Sequence, residues 1–150
     1  MDKYGQHPST HVSLYRGSLN FARAAEIILN SGEKIPADVF GFLVSHSLEL
    51  ALKAFLISTG FDDDRLRKQI GHSLIEAWKM SAQHGLSLET DPPDWCQTLN
   101  SAHDTPYHFR YARTNTGLVT PAPKKAVSGL NNVLEMVGDA IGLDKNGNFV

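Results

Sequence analysis

The sequence predicts an all-α fold: an up-and-down bundle of four main helices with one or two short ones. Three observations carry this. Apolar residues recur at helical spacing in several long blocks. No run of four or more residues alternates apolar and polar with β-branched enrichment, so strand signals are nearly absent. Gly, Asn and Pro punctuate the blocks where helices start and stop. The chain of 150 residues has one domain's length and buries enough surface to fold without disulfides or metals.

The first helix is expected over about Ser13 to Leu29, with Leu14, Phe21, Ala25, Ile28 and Leu29 in its apolar stripe. Ser13 is the expected cap, and Asn30-Ser31-Gly32 the stop. Pro36 opens the second, from Asp38 to Thr59, which is apolar over most of its circumference and therefore central. Its few polar residues, His46, Glu49 and Lys53, fall at +3 and +4 spacing and share one stripe. Asp62-Asp63-Asp64 favours a short helix to Ile70, since acidic groups complement a helix N-terminus. After Gly71 a helix runs from His72 or Ser73 to His84. Asp91-Pro92-Pro93-Asp94 starts another short one, ending near His103. Asp104 to Pro123 reads as a long irregular segment, a kind that often carries function. The last helix runs from Lys124 to Ile141, and flexible tails are expected at 1–12 and 143–150.

Composition limits the function. There are 14 Lys+Arg against 16 Asp+Glu, a net charge of -2, which excludes nucleic-acid binding by bulk charge but not a local basic site. The single cysteine, Cys96, excludes an internal disulfide and a multi-cysteine zinc site, and suits a reducing cytoplasm. No run of about 18 apolar residues suggests a membrane span, and Met1 to Arg16 lacks the apolar core of a secretory signal. No membrane association and no cofactor are expected. His46, Glu49 and His72 are of metal-ligating types but form no ligand motif, and no metal is expected.

The segment Ser45-His46-Ser47-Leu48-Glu49-Leu50-Ala51-Leu52-Lys53-Ala54-Phe55-Leu56 is similar to the second helix of HEPN domains (higher eukaryotes and prokaryotes nucleotide-binding). Gly71-His72-Ser73-Leu74 resembles that family's opening of the next helix, and Arg110-Tyr111 its later Arg-Tyr pair. The resemblance covers about 41 to 115. It implies a four- or five-helix bundle, often a homodimer. The implied role is a metal-independent ribonuclease or a non-nuclease module that binds RNA, a nucleotide or a partner protein. For the module, the implied partner is of the nucleotidyltransferase type and the setting is prokaryotic defence, toxin–antitoxin or regulation.

The family's nuclease motif is Arg, a gap of four to six residues, then His. RNA cleavage needs a base at the 2′-OH, a donor to the leaving oxygen and a cation on the phosphate, which His and Arg supply. Arg67 and His72 have a four-residue gap, and Arg65 and His72 a six-residue gap. They precede the expected position, and no His follows Arg110 or Arg113 where the motif usually lies. The leading expectation is therefore a non-enzymatic binding module. The alternative is a divergent ribonuclease using Arg110 or Arg113 with His72 or His108, or the Arg67/His72 pair. Tyr107 to Asn115 packs Arg110, Arg113, three aromatics and His108 into nine residues, a composition able to stack a base and hold a phosphate. Arg110, Tyr111, Arg113, Asn115, Glu49, Lys53 and His46 are the candidate ligand-binding residues, Glu49 being expected to hold Arg110 or Arg113 across a cleft.

Overall fold

The computed structural model describes residues 10–111 and 117–150. They form six helices: α1 His11–Leu29, α2 Ala37–Ser58, α3 Asp63–Gln69, α4 Leu74–Gln83, α5 Asp94–His103 and α6 Pro123–Ile141. The all-α expectation holds, with lengths of 19, 22, 7, 10, 10 and 19 residues in chain order. Three helices are long, not four, because the blocks after Gly71 and Pro93 each give only ten residues.

Helix α2 is the hub, packed against α1, α4, α5 and α6. Its Val44, Leu48, Ala51, Leu52, Ala54 and Leu56 are fully enclosed. By length and composition this one helix could cross a membrane, but 67% of its most apolar window is buried in the bundle, as a core helix requires. Helix α6 supplies Leu130, Val133 and Val137 to the core, and α1 supplies Tyr15, Ala22 and Ala25. Tyr15 reaches between them, its hydroxyl donating to the Leu134 carbonyl at 3.0 Å.

Two ends differ from expectation. Thr10, not Ser13, caps α1; Ser13 is the reciprocal partner of a capping box, so the helix starts two residues earlier. Residues 143–150 are not a frayed tail. Leu143 is buried, it bridges to Phe149, and Asp144 accepts backbone N–H bonds from Asn146 and Asn148. Arg16 Nε ties the turn to α1 through the Gly147 carbonyl at 2.9 Å. A buried Leu and a short Asx-type turn overcome the usual mobility of a chain end. Residues 1–9 lie outside the described part of the expected N-terminal tail; Thr10, His11 and Val12 belong to α1 and its cap.

A buried glutamate with histidines from three elements

Glu49 lies in the middle of α2 and is only 3% exposed. An isolated buried carboxylate is too costly to keep, so its partners define the site. His72 Nδ1 and His103 Nε2 each lie 3.0 Å from Glu49 Oε1. Lys53 Nζ is 3.5 Å from Oε2, and His46 Nδ1 is 3.9 Å from it. Burial pushes the Glu49 carboxyl up, but the His103 hydrogen bond, the Lys53 charge and the His72 bond outweigh it and bring the pKa down to about 2. Glu49 is thus ionised at neutral pH. A carboxylate only accepts, so both ring nitrogens that face it carry protons.

Three separate elements deliver these groups. His46 and Lys53 come from α2 itself, one turn on either side of Glu49. His72 comes from the turn before α4. That turn is fixed at both ends: Lys53 Nζ donates to the Gly71 carbonyl at 2.6 Å, and the Leu74 N–H donates to Asn100 Oδ1 at 2.7 Å. Gly71 has φ +58, a left-handed conformation that a side chain disfavours. His103 is the last residue of α5 and is 1% exposed. Its Nδ1 has no hydrogen-bond partner among the described residues, an unusual state for a buried polar atom.

The rings form a chain of contacts. His46 stacks on Phe42 with centroids 5.3 Å apart and meets the Phe21 edge at 4.6 Å. Enclosure lowers the His46 pKa, Glu49 raises it, and His103, Arg110 and Lys53 oppose Glu49; the net direction is down. His72 meets the His103 ring at 6.3 Å and the Tyr107 ring at 5.8 Å, both edge to face. The Arg110 guanidinium lies 5.7 Å from the Tyr107 ring centre and 5.4 Å from that of Phe42.

The loop after α5 is held onto α2 by Phe109, whose ring occupies the space where a Cβ on Gly41 would sit. The Phe109 N–H also donates to the Ala102 carbonyl at 3.2 Å. Tyr107, with φ 62, adopts a left-handed conformation rare outside glycine. A short turn follows, in which the Arg110 and Tyr111 N–H groups both donate to the Tyr107 carbonyl at 3.0 Å.

The sequence candidates divide cleanly. Glu49, Lys53, His46 and His72 are brought together, and Arg110 stands beside them through Tyr107 and Phe42. The expected Glu49–Arg110 bridge is not formed. Glu49 is already matched by Lys53 and two imidazoles, and Arg110 instead lies over aromatic faces. Arg67 and His72, despite the nuclease-type spacing, do not act on one point: Arg67 pairs with Asp64 on α3, while His72 turns to Glu49. Arg65 lies over the Phe61 ring at 3.7 Å. His108 is half-buried without a hydrogen bond among the described residues, and Tyr111 is 66% exposed. Arg113 and Asn115 lie outside the described residues, as does any contact of theirs with Glu49.

Sequence reading missed His103. The signal was present: Trp95, Leu99 and His103 repeat every four residues, so His103 continues the buried stripe of α5. The sequence offers His46, Glu49 and His72 as a grouping of metal-ligating types; the structure places His103, not His46, with Glu49 and His72. Cys96 is fully enclosed and burial pushes its thiol up to about 12, which fits a core residue and not a nucleophile. Set against protein-family models, curated proteins and solved structures, the chain matches none of them.

Proposed function

We propose that this chain is a HEPN-like helical module that binds the phosphate and base of a nucleotide or RNA strand on the surface formed by His72, Tyr107 and Arg110, with Glu49 beneath it. The observation that carries the reading is that His72 and Arg110 both lie within 6 Å of the Tyr107 ring, one at 5.8 Å and the other at 5.7 Å. Arg110 is exposed and has no carboxylate partner among the described residues, so its donors are available to a phosphate. Tyr111, 66% exposed, adds an aromatic face of the kind on which bases stack. Glu49, Lys53 and His46 support this surface from below. The homodimer, the nucleotidyltransferase-type partner and the prokaryotic defence setting rest on the family resemblance alone, and the cytoplasmic location on composition.

A second reading, ribonuclease, is favoured by one contact. Glu49 accepts the His72 Nδ1 proton at 3.0 Å, which leaves the lone pair of a neutral His72 on Nε2, the nitrogen away from the carboxylate. A histidine held in one tautomer by a carboxylate is suited to general-base work, and Arg110 would meet the charge on phosphorus. In that case His72 would take the 2′-OH proton.

The test is fluorescence anisotropy of a labelled single-stranded RNA, in parallel with cleavage of the same RNA in EDTA. Arg110→Ala is expected to weaken binding about tenfold, a loss of roughly 1.4 kcal/mol typical of a charge-assisted contact. Equal affinity of wild type and Arg110→Ala, or no binding of RNA or mononucleotides at all, would overturn the binding reading. Cleavage abolished by His72→Ala would promote the second reading over the first.

A further inference from the structure

We infer that Glu49, His72 and His103 form a binding site for one divalent transition-metal ion of the zinc class. The donor set is the basis: two imidazole nitrogens and a carboxylate oxygen, from α2, the turn before α4 and the end of α5, all within 4.8 Å of one another. Both nitrogens lie 3.0 Å from the same oxygen. Ligands around a tetrahedral zinc, with bonds of about 2.0–2.1 Å, stand about 3.4 Å apart; the donor atoms here spread over as much as 4.8 Å, so the partly exposed His72 ring must swing towards His103 as the ion enters. Two His and one Glu are also the protein ligands of open zinc sites, in which a fourth position remains for water or substrate.

The arrangement is asymmetric. Glu49 and His103 are enclosed, their side chains 4% and 0% exposed, whereas the His72 side chain is 38% exposed. The free position therefore lies on the His72 side, close to Tyr107. Entry of the ion replaces two N–H donors with two nitrogen lone pairs. Each ring must therefore hold its remaining proton on the nitrogen that faces away from Glu49. For His103 that nitrogen is Nδ1, which has no partner among the described residues. Lys53, 3.5 Å from Glu49 Oε2, is a cation that the ion must tolerate. It opposes the ion by electrostatic repulsion, while its bond to the Gly71 carbonyl holds the turn that carries His72.

The site goes beyond the phosphate-binding reading and does not depend on it. The test uses the full chain, stripped with EDTA, dialysed and titrated with Zn²⁺ by calorimetry and with Co²⁺ by visible absorption. The expected result is one ion per chain, with Co²⁺ bands of a coordinated site. Affinity should fall at least about tenfold in His72→Ala and in His103→Ala. If His103→Ala does not fold by circular dichroism, the half-exposed His72→Ala decides. No binding by wild type overturns the proposal. So does binding that is unchanged in His72→Ala, since the ion would then sit on other histidines. RNA affinity measured on the same stripped protein reports on the phosphate-binding reading separately.

Discussion

Two carboxylates in this protein share a sequence pattern and have opposite environments. Glu49 has Lys53 at +4 and His46 at −3; Asp64 has Arg67 at +3 and Lys68 at +4. The Glu49 side chain is 4% exposed, and that of Asp64 55%. Around Asp64 the ions are solvated, and pairs of this kind contribute about 0–1 kcal/mol. Around Glu49 water is excluded, the charge has to be matched, and groups from two other elements are drawn in to match it. His72 belongs to the buried cluster and Arg67 to the surface one, although the sequence sets them at a nuclease-like spacing. Spacing along a helix finds pairs; burial decides which pair is a site.

The largest effect should follow from breaking the buried cluster. Glu49→Ala leaves Lys53 and two imidazoles without their anion and should cost about 3–5 kcal/mol in chemical denaturation. A loss below about 1 kcal/mol would place Glu49 in the same class as Asp64. Acid is the next lever. The Glu49 pKa falls from 4.5 unfolded to about 2 folded, so its stabilisation is complete above about pH 4.5 and is lost as the pH falls towards 2. His46, held below its ordinary 6.5, acts in the same sense: the unfolded chain takes up its proton more readily, and stability declines as the pH drops through 6.5. Thermal unfolding of the wild type should therefore weaken steadily below pH 6.5. In Glu49→Gln the portion below pH 4.5 should be flatter, and parallel curves there would contradict the assignment.

Smaller is the anchor of the neighbouring loop. Gly41→Ala drives a Cβ into the Phe109 ring and should cost about 1–3 kcal/mol. Because Phe109 holds the loop that carries Arg110, RNA affinity should fall with it. Stability lost with affinity intact would separate the loop from the surface. Smallest is the solvated pair. Arg67→Ala should change stability by less than about 1 kcal/mol and leave RNA affinity as it is. A tenfold drop in affinity would return the Arg67–His72 pair to consideration.

Much of the fold was legible in the sequence because the helices carry their own signals. The apolar circumference of α2, the Gly60 and Gly142 stops and the Pro-initiated starts lie within the elements they define. Half of the site was legible for the same reason: His46, Glu49 and Lys53 belong to one helix. The rest depends on tertiary placement. His103 meets Glu49 across a separation of 54 residues, and the seat that Gly41 provides for Phe109 links α2 to a distant loop. The α5 stripe marks His103 as buried, but neither stripe nor spacing names the distant partner. The order at 143–150 was missed because the turn is held by burial of Leu143 against the bundle and by Arg16 of α1, both tertiary contacts.

The most direct test is a heteronuclear NMR titration of the labelled protein with a short single-stranded RNA. The account predicts shift changes concentrated at His72, Tyr107, Arg110 and the Phe42–Glu49 stretch of α2, with the α3 resonances from Asp63 to Gln69 unmoved. Shifts centred on α3, with the His72–Arg110 surface silent, would contradict it.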